Sequence, residues 1–226
     1  MELISKVDIE MDGNKYYSVN YRDDKNLWFN KTSDKPIDFQ ADISGGDRVD
    51  KDFLCPKYDG YRVADTIAGR YVKTPIYTYY KLEGSLKQCI RNEIETYERV
   101  SHPNICKYYG CVVEDGLVTG IVLEKLSKTL DRVDIDDPEA LISQLIQAVS
   151  YIHSLGIVHG DINPYNIMVD DERLVLIDFD SVGAENGKQG TPGYMSSNYS
   201  KSMADDWYSV EQVSKFIHNV CKNHIR

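Results

Sequence analysis

The 226-residue chain has no basic cluster, no apolar run long enough to span a bilayer and no CxxC pair among its five cysteines. A formal net charge of −10 without a basic patch argues against nucleic acid or an anionic membrane as partner. A membrane helix needs about 20 consecutive apolar residues, which the chain never supplies. Its first residues, MELISKVDIEMDG, are too acidic and too interrupted for a secretory leader. Cys55, Cys89, Cys106, Cys111 and Cys221 are odd in number, which predicts reduced packing residues in a cytoplasmic protein. A chain of this length can bury roughly 70% of its unfolded surface, enough for one large domain or two small lobes.

What is present is concentrated in residues 157–180, IVHGDINPYNIMVDDERLVLIDFD. Two apolar runs, Ile167-Met168-Val169 and Leu174-Val175-Leu176-Ile177, flank the acidic turn Asp170-Asp171-Glu172 and predict a hairpin of buried strands. The first run is preceded by His159, Asp161, Asn163 and Asn166, and the second leads into Asp178-Phe179-Asp180. Pairing the runs therefore brings Asp161, Asn166 and Asp178 to one end. Two carboxylates and an amide oxygen form the hard, oxygen-only donor set that magnesium prefers, with phosphates and water completing its shell.

The string resembles the catalytic loop and metal-binding motif of the protein kinase superfamily, HRDxxxxN followed by DFG. By this resemblance the chain is identified as a small, divergent member of the eukaryotic type, and HGDINPYN with IDFD is similar to small fungal kinase-like proteins. The resemblance implies an α+β, two-lobed kinase-like fold: an antiparallel β N-lobe and a truncated, mainly helical C-lobe ending near helix F. The corresponding boundaries are a β-rich extension over 1–60, an N-lobe over 61–126 and a C-lobe over 127–226. It also implies ATP and Mg²⁺ or Mn²⁺ as cofactors, and a protein as substrate or partner. Asp161 would accept the proton of the attacking hydroxyl, with His159 bracing the loop and Asn163 orienting the acceptor. Asn166 and Asp178 would hold the metal, with Asp180 as a further ligand.

Upstream, ISKVDIEM and KYYSVNY flank Asp12-Gly13-Asn14 and predict a hairpin over 4–21. Residues 22–60 read as polar loops with short strands around Trp28-Phe29. Residues 61–82 predict two or three strands ending at Lys81. Ser85 is placed to cap a helix whose stripe of Leu86, Ile90, Ile94, Tyr97 and Val100 contains Glu93, while Glu95 falls on the wet face. A carboxylate on a buried face needs a cation, and Lys81 is the expected partner. The same two residues match the kinase lysine–glutamate pair. By resemblance Leu123 is the gatekeeper, and Glu124, Lys125 and Leu126 form the hinge that binds adenine. Asp137-Pro138 opens a helix with a stripe of Leu141, Leu145, Ile146, Val149 and Ile152, closed by Gly156. GTPGYM, with Thr191 and Gly193, resembles the substrate-facing part of the activation segment, in which Thr191 would bond towards Asp161. The last stretch, from Asp205-Asp206, predicts a helix with Trp207, Val210, Val213, Phe216, Ile217 and Val220 on one side; it resembles helix F of the family, in which Asp206 would anchor the catalytic loop.

The resemblance has gaps. No GxGxxG loop precedes Lys81, the nearest glycines being Gly45-Gly46, Gly60 and Gly69. Gly160 stands where the family has the arginine of HRD. Asn163 stands where serine/threonine kinases place a lysine. Asp180 replaces the glycine of DFG, and Ser196-Ser197-Asn198 replaces APE. Three readings stay open: an active serine/threonine protein kinase, a pseudokinase acting through a protein partner, and a small-molecule kinase of the HGD type.

Overall fold

A computed structural model describes residues 2–11, 14–22, 27–32, 47–48, 50–75, 86–183 and 190–224. The first sheet runs in chain order: β1 (Glu2–Met11), β2 (Asn14–Arg22), β3 (Leu27–Thr32) and β4 (Asp47–Arg48). Strands β1 and β2 pair antiparallel down to Met11 opposite Asn14; Asp12 and Gly13, the turn expected from the sequence, lie outside the described residues. A single helical turn, α1 (Lys51–Leu54), follows, capped by the carboxylate of Asp50 on the amide of Asp52.

The second sheet has the order β5 (Tyr71–Lys73), β7 (Leu117–Leu123), β6 (Tyr108–Glu114), antiparallel throughout. Between α1 and β5 the sequence predicts strands from Tyr61 onward, and here the structure differs. Residues 56–64 touch the sheet through single bridges, Lys57 to Leu117 and Val63 to Cys111, rather than as a paired strand. Asp65 accepts from the Thr66 amide and from Arg70, and Thr66 Oγ1 accepts from Ala68, so local side-chain bonds replace a ladder. The crossing over β6 depends on Gly110, at φ +134°, where a Cβ would lie 2.5 Å from the amide nitrogen of Ala64. Helix α2 (Leu86–Arg99) packs across the sheet; Ser85, its expected cap, lies outside the described residues. As the helical period predicts, Glu93 is buried and Glu95 is exposed.

Beyond β7 the chain forms β8 (Lys128–Thr129), α3 (Pro138–Ser154), β9 (Ile167–Asp170), β10 (Arg173–Leu176) and α4 (Met203–His224). Asp137 caps α3 on the amide of Ala140, and Gly156 at φ +73° ends it. On α3 the buried stripe is Leu141, Leu145, Ala148, Val149 and Ile152; Ile146, expected in it, is turned to solvent, one residue past the edge of the stripe. On α4, Val210, Val213 and Ile217 are buried, while Trp207 is partly exposed with its ring edge-on to His153. Strands β9 and β10 pair with Ile167 opposite Leu176, forming a sheet in the order β10-β9-β8. Among the described residues no helix is long and apolar enough to cross a membrane.

Candidate active site

The β9–β10 hairpin delivers its polar ends to one place. A turn of 3₁₀ helix (Pro164–Asn166), capped by the Asn163 side chain on the amides of Tyr165 and Asn166, leads into β9. The Ile177 amide donates to the Asn166 carbonyl, 3.0 Å, which sets Asn166 beside the residue preceding Asp178.

Asp161 is held from three directions. Its Oδ1 accepts from the Thr191 amide and hydroxyl, both at 2.8 Å, and from Asn163 Nδ2 at 3.0 Å. Its Oδ2 accepts from Asn166 Nδ2 at 3.0 Å. Asn163 Nδ2 also lies 2.9 Å from Thr191 Oγ1, so the GTPGYM stretch and the catalytic-type loop share one lattice. Gly193, at φ +90°, turns that stretch away. Asn166 spends its amide nitrogen on Asp161, so its oxygen faces away from that carboxylate.

Opposite this lattice sits a lysine, and it is Lys73 rather than the expected Lys81. Lys73 Nζ lies 2.8 Å from both carboxylate oxygens of Glu93 and 2.7 Å from Asp178 Oδ1. Lys81 falls outside the described residues. The reason is long-range: pairing β5 with β7 sets Lys73 opposite Ile121, beneath the inner face of α2. In the sequence, IYTYYKL has the richer β pattern of the two runs, which is why local propensity points to Lys81. Glu93 is 1% exposed, and burial pushes its carboxyl up to about 7 against the pull of Lys73. Burial alone would lower the Lys73 ammonium, but Glu93 and Asp178 together hold it above its ordinary value.

Asp178 adopts φ +67°. Asp180 stands where the family has glycine, yet the left-handed conformation falls on Asp178 and not on Asp180. Asp180 accepts from the Ser181 hydroxyl and lines a cavity with Lys73, Glu93, Cys89 and Val118, on the α2 side of the lysine. Phe179, fully buried, lies edge-on to Tyr97 and tilted against His159, at centroid distances of 5.2 and 5.0 Å. Tyr97 stacks on Tyr108 at 5.7 Å. This aromatic column joins α2, β6 and the catalytic-type loop, and of its members the sequence places only Tyr97 in an apolar stripe.

His159 Nε2 lies 3.0 Å from the Ile177 carbonyl. Asp206 accepts from the amides of His159 and Gly160, at 2.8 and 2.9 Å, and contacts His153 Nε2 at 2.8 Å. Beside it, Asp205 accepts from the hydroxyls of Ser196, Ser200 and Ser202 and the amides of Ser200 and Ser202. Although burial opposes it, this crowd of donors holds the Asp205 carboxyl well below the usual range. Ser196, in the place of APE, is thus tied to helix α4. Leu123 is buried at the end of β7, and Glu124 turns back to pair with Arg173 Nη2 at 2.5 Å. Leu126 is half-buried.

Among the described residues no group of three or more His, Cys, Asp and Glu side chains could hold a metal alone. The donors that fit a hard cation are Asp178 and the Asn166 oxygen, a two-ligand set that suits magnesium held largely by phosphates and water.

Residues 72–213 match the protein kinase domain family, which is more than half of the chain. Calcium/calmodulin-dependent protein kinase type 1B of Rattus norvegicus is 33% identical over 129 residues, covering 47% of this chain and 36% of that protein. Serine/threonine-protein kinase chk-2 of Caenorhabditis elegans is 31% identical over 157 residues, covering 60% and 33%. CBL-interacting serine/threonine-protein kinase 21 of Arabidopsis thaliana is 28% identical over 165 residues, covering 63% and 39%. The chain therefore spans well under half the length of these relatives. With Lys73, Glu93, Asp161, Asn166 and Asp178 all inside the matched stretch, this chain belongs to the protein kinase family.

Proposed function

We propose that the protein transfers the γ-phosphoryl group of ATP to a serine or threonine hydroxyl of a protein substrate. The observation that carries this reading is Lys73 Nζ bridging Glu93 and Asp178, which presets a cation over the carboxylate best placed for a metal. Bound magnesium would neutralise charge on the phosphates. The chain's own groups do the rest. Lys73 pairs with inner phosphate oxygens, Asp178 and Asn166 hold the metal, and Asp161 orients the acceptor hydroxyl and takes its proton. Leu123, Glu124 and Leu126 line the adenine side. Asn163 orients Asp161 but brings no charge, so phosphoryl transfer is slower than with a lysine in that place.

The test is incorporation of radiolabelled phosphate from ATP into generic protein substrates, with Mg²⁺ and with Mn²⁺, for wild type, Asp161→Asn and Asp178→Asn. Label in wild type that disappears in both variants supports the reading; equal label in all three ends it. A second reading, a scaffold that binds nucleotide weakly or not at all, is favoured by residues 57–70, which bridge the sheet singly instead of forming a glycine-rich hairpin. Calorimetric titration with Mg²⁺–ATP separates the two.

A further inference from the structure

Gly160, between His159 and Asp161, sits at φ +77°. A Cβ there would lie 3.2 Å from the Tyr199 hydroxyl and 3.7 Å from the Ser181 carbonyl, with the Lys201 stem at 3.9 Å. The space a side chain at 160 would grow into is already filled by the turn that leads to α4. Tyr199 donates its hydroxyl to the Gly160 carbonyl, and Lys201 Nζ reaches the Ser181 carbonyl at 3.5 Å. One short turn therefore grips two loops: the one ending in Asp161 and the one beginning at Asp178. The turn is itself fixed from below, because Asp205 binds Ser200 and Ser202 on either side of Lys201. Lys201 holds φ +55°, a conformation a non-glycine residue keeps only when its surroundings impose it.

The stretch between Ser181 and Thr191, VGAENGKQG, contains no serine, threonine or tyrosine. At its two ends, Ser181 is 1% exposed, and the Thr191 hydroxyl is engaged with Asp161 and Asn163. A phosphate has no place to be added from 181 to 191 without dismantling the lattice.

We propose that Tyr199 and Lys201 are positioning residues that set the spacing between the Asp161 loop and the Asp178 loop, so that the reactive arrangement forms without phosphorylation of residues 181–191. The consequence for regulation rests on the transferase reading; the mechanical tie does not. Lys201 contributes a charge-assisted bond and Tyr199 a neutral one, and because both leave the same turn, losing either one frees the spacing between the two loops.

The experiment is amide hydrogen exchange on the full chain for wild type, Tyr199→Phe and Lys201→Met, with kinetics alongside. The expected result is faster exchange, by about fivefold or more for the loss of one hydrogen bond, in residues 159–163 and 177–182 together in each variant. Exchange in α3 and the melting temperature stay near wild type, which separates a tie from general loss of structure. In the same variants kcat falls about tenfold while KM for ATP stays within about twofold, as expected when geometry and not ground-state binding is lost. Phosphatase treatment leaves wild-type kcat unchanged. Exchange that rises at one loop only, at neither, or across α3 as well overturns the proposal, as does a wild-type enzyme that phosphatase inactivates. If wild type transfers no phosphate, the transferase reading fails and the exchange data alone decide the tie.

Discussion

The two walls of the cleft are built differently. The lower wall, from His159 to Asn166 with Thr191, is a lattice in which one carboxylate, Asp161, receives four hydrogen bonds and the backbone beneath it is held by Asp206. The upper wall, residues 57–73, rests on two single bridges, a three-residue strand and the Lys73 ion pairs. The lower wall is preorganised before any ligand arrives. The upper one is held by scattered ties, with Lys73 as its buried post and the Arg62 amide on Glu98 as another, so on the proposed function a substrate's phosphates would add to it. Rigid chemistry below and adaptable binding above predict that lesions in the two walls show up in different measurements.

On the proposed function the sharpest contrast is expected from Asp161→Asn, which would remove the proposed proton acceptor from the lower wall. It should lower kcat by about 10³-fold with nucleotide affinity nearly unchanged, read by single-turnover kinetics and ATP titration. Comparable losses in both quantities would mean that the lower wall is not preorganised. Lys73→Met should act the other way. It leaves Glu93 buried without its cation, costs about 3 kcal/mol in urea unfolding and weakens ATP binding at the same time. Lys81→Met should leave both near wild type; a reversal of the two lysines would refute the assignment of the post.

Gly110→Ala probes the crossing that carries the upper wall. The added Cβ meets backbone and not a flexible side chain, so about 2 kcal/mol of stability should be lost. A melting curve that matches wild type would show that the crossing can move aside. The smallest effect lies under the lower wall. The Asp205 carboxyl titrates below its unfolded value, so its contribution is fully present above about pH 4 and is lost as pH falls through the folded value. Asp205→Asn should lower the melting temperature at neutral pH, with the gap to wild type closing in acid. A gap that widens on acidification would contradict the clamp.

How legible each wall was follows from the same difference. Most of the lower wall falls within residues 157–180, where the register of one hairpin sets Asn166 beside the residue before Asp178, so spacing alone carries that pairing, while Thr191 and Asp206 lie beyond it. Thr191 and Asp206 were found by motif. The upper wall is assembled from strands far apart in the chain: Lys73 and Glu93 are 20 residues apart and meet only because β5 pairs with β7. Local propensity favoured IYTYYKL and hence Lys81, and nothing in a periodicity argument ranks two lysines that both end β-rich runs. The strands expected over 61–70 failed for a related reason, since Asp65, Thr66 and Arg70 bind one another within the loop. Tyr199 and Lys201 lie in a stretch with no period at all, and their partners are backbone carbonyls, which leave no mark in a sequence.

The pairing of Glu124 with Arg173 also ties the segment that joins the two halves of the molecule to the turn end of the hairpin whose other end bears Asp178. A connector fastened in this way behaves less like a free hinge than like a braced lever. Any rocking of β5, β6 and β7 must either stretch that ion pair or pull on β10, so cleft opening and the position of the Asp178 carboxylate become one mechanical coordinate instead of two.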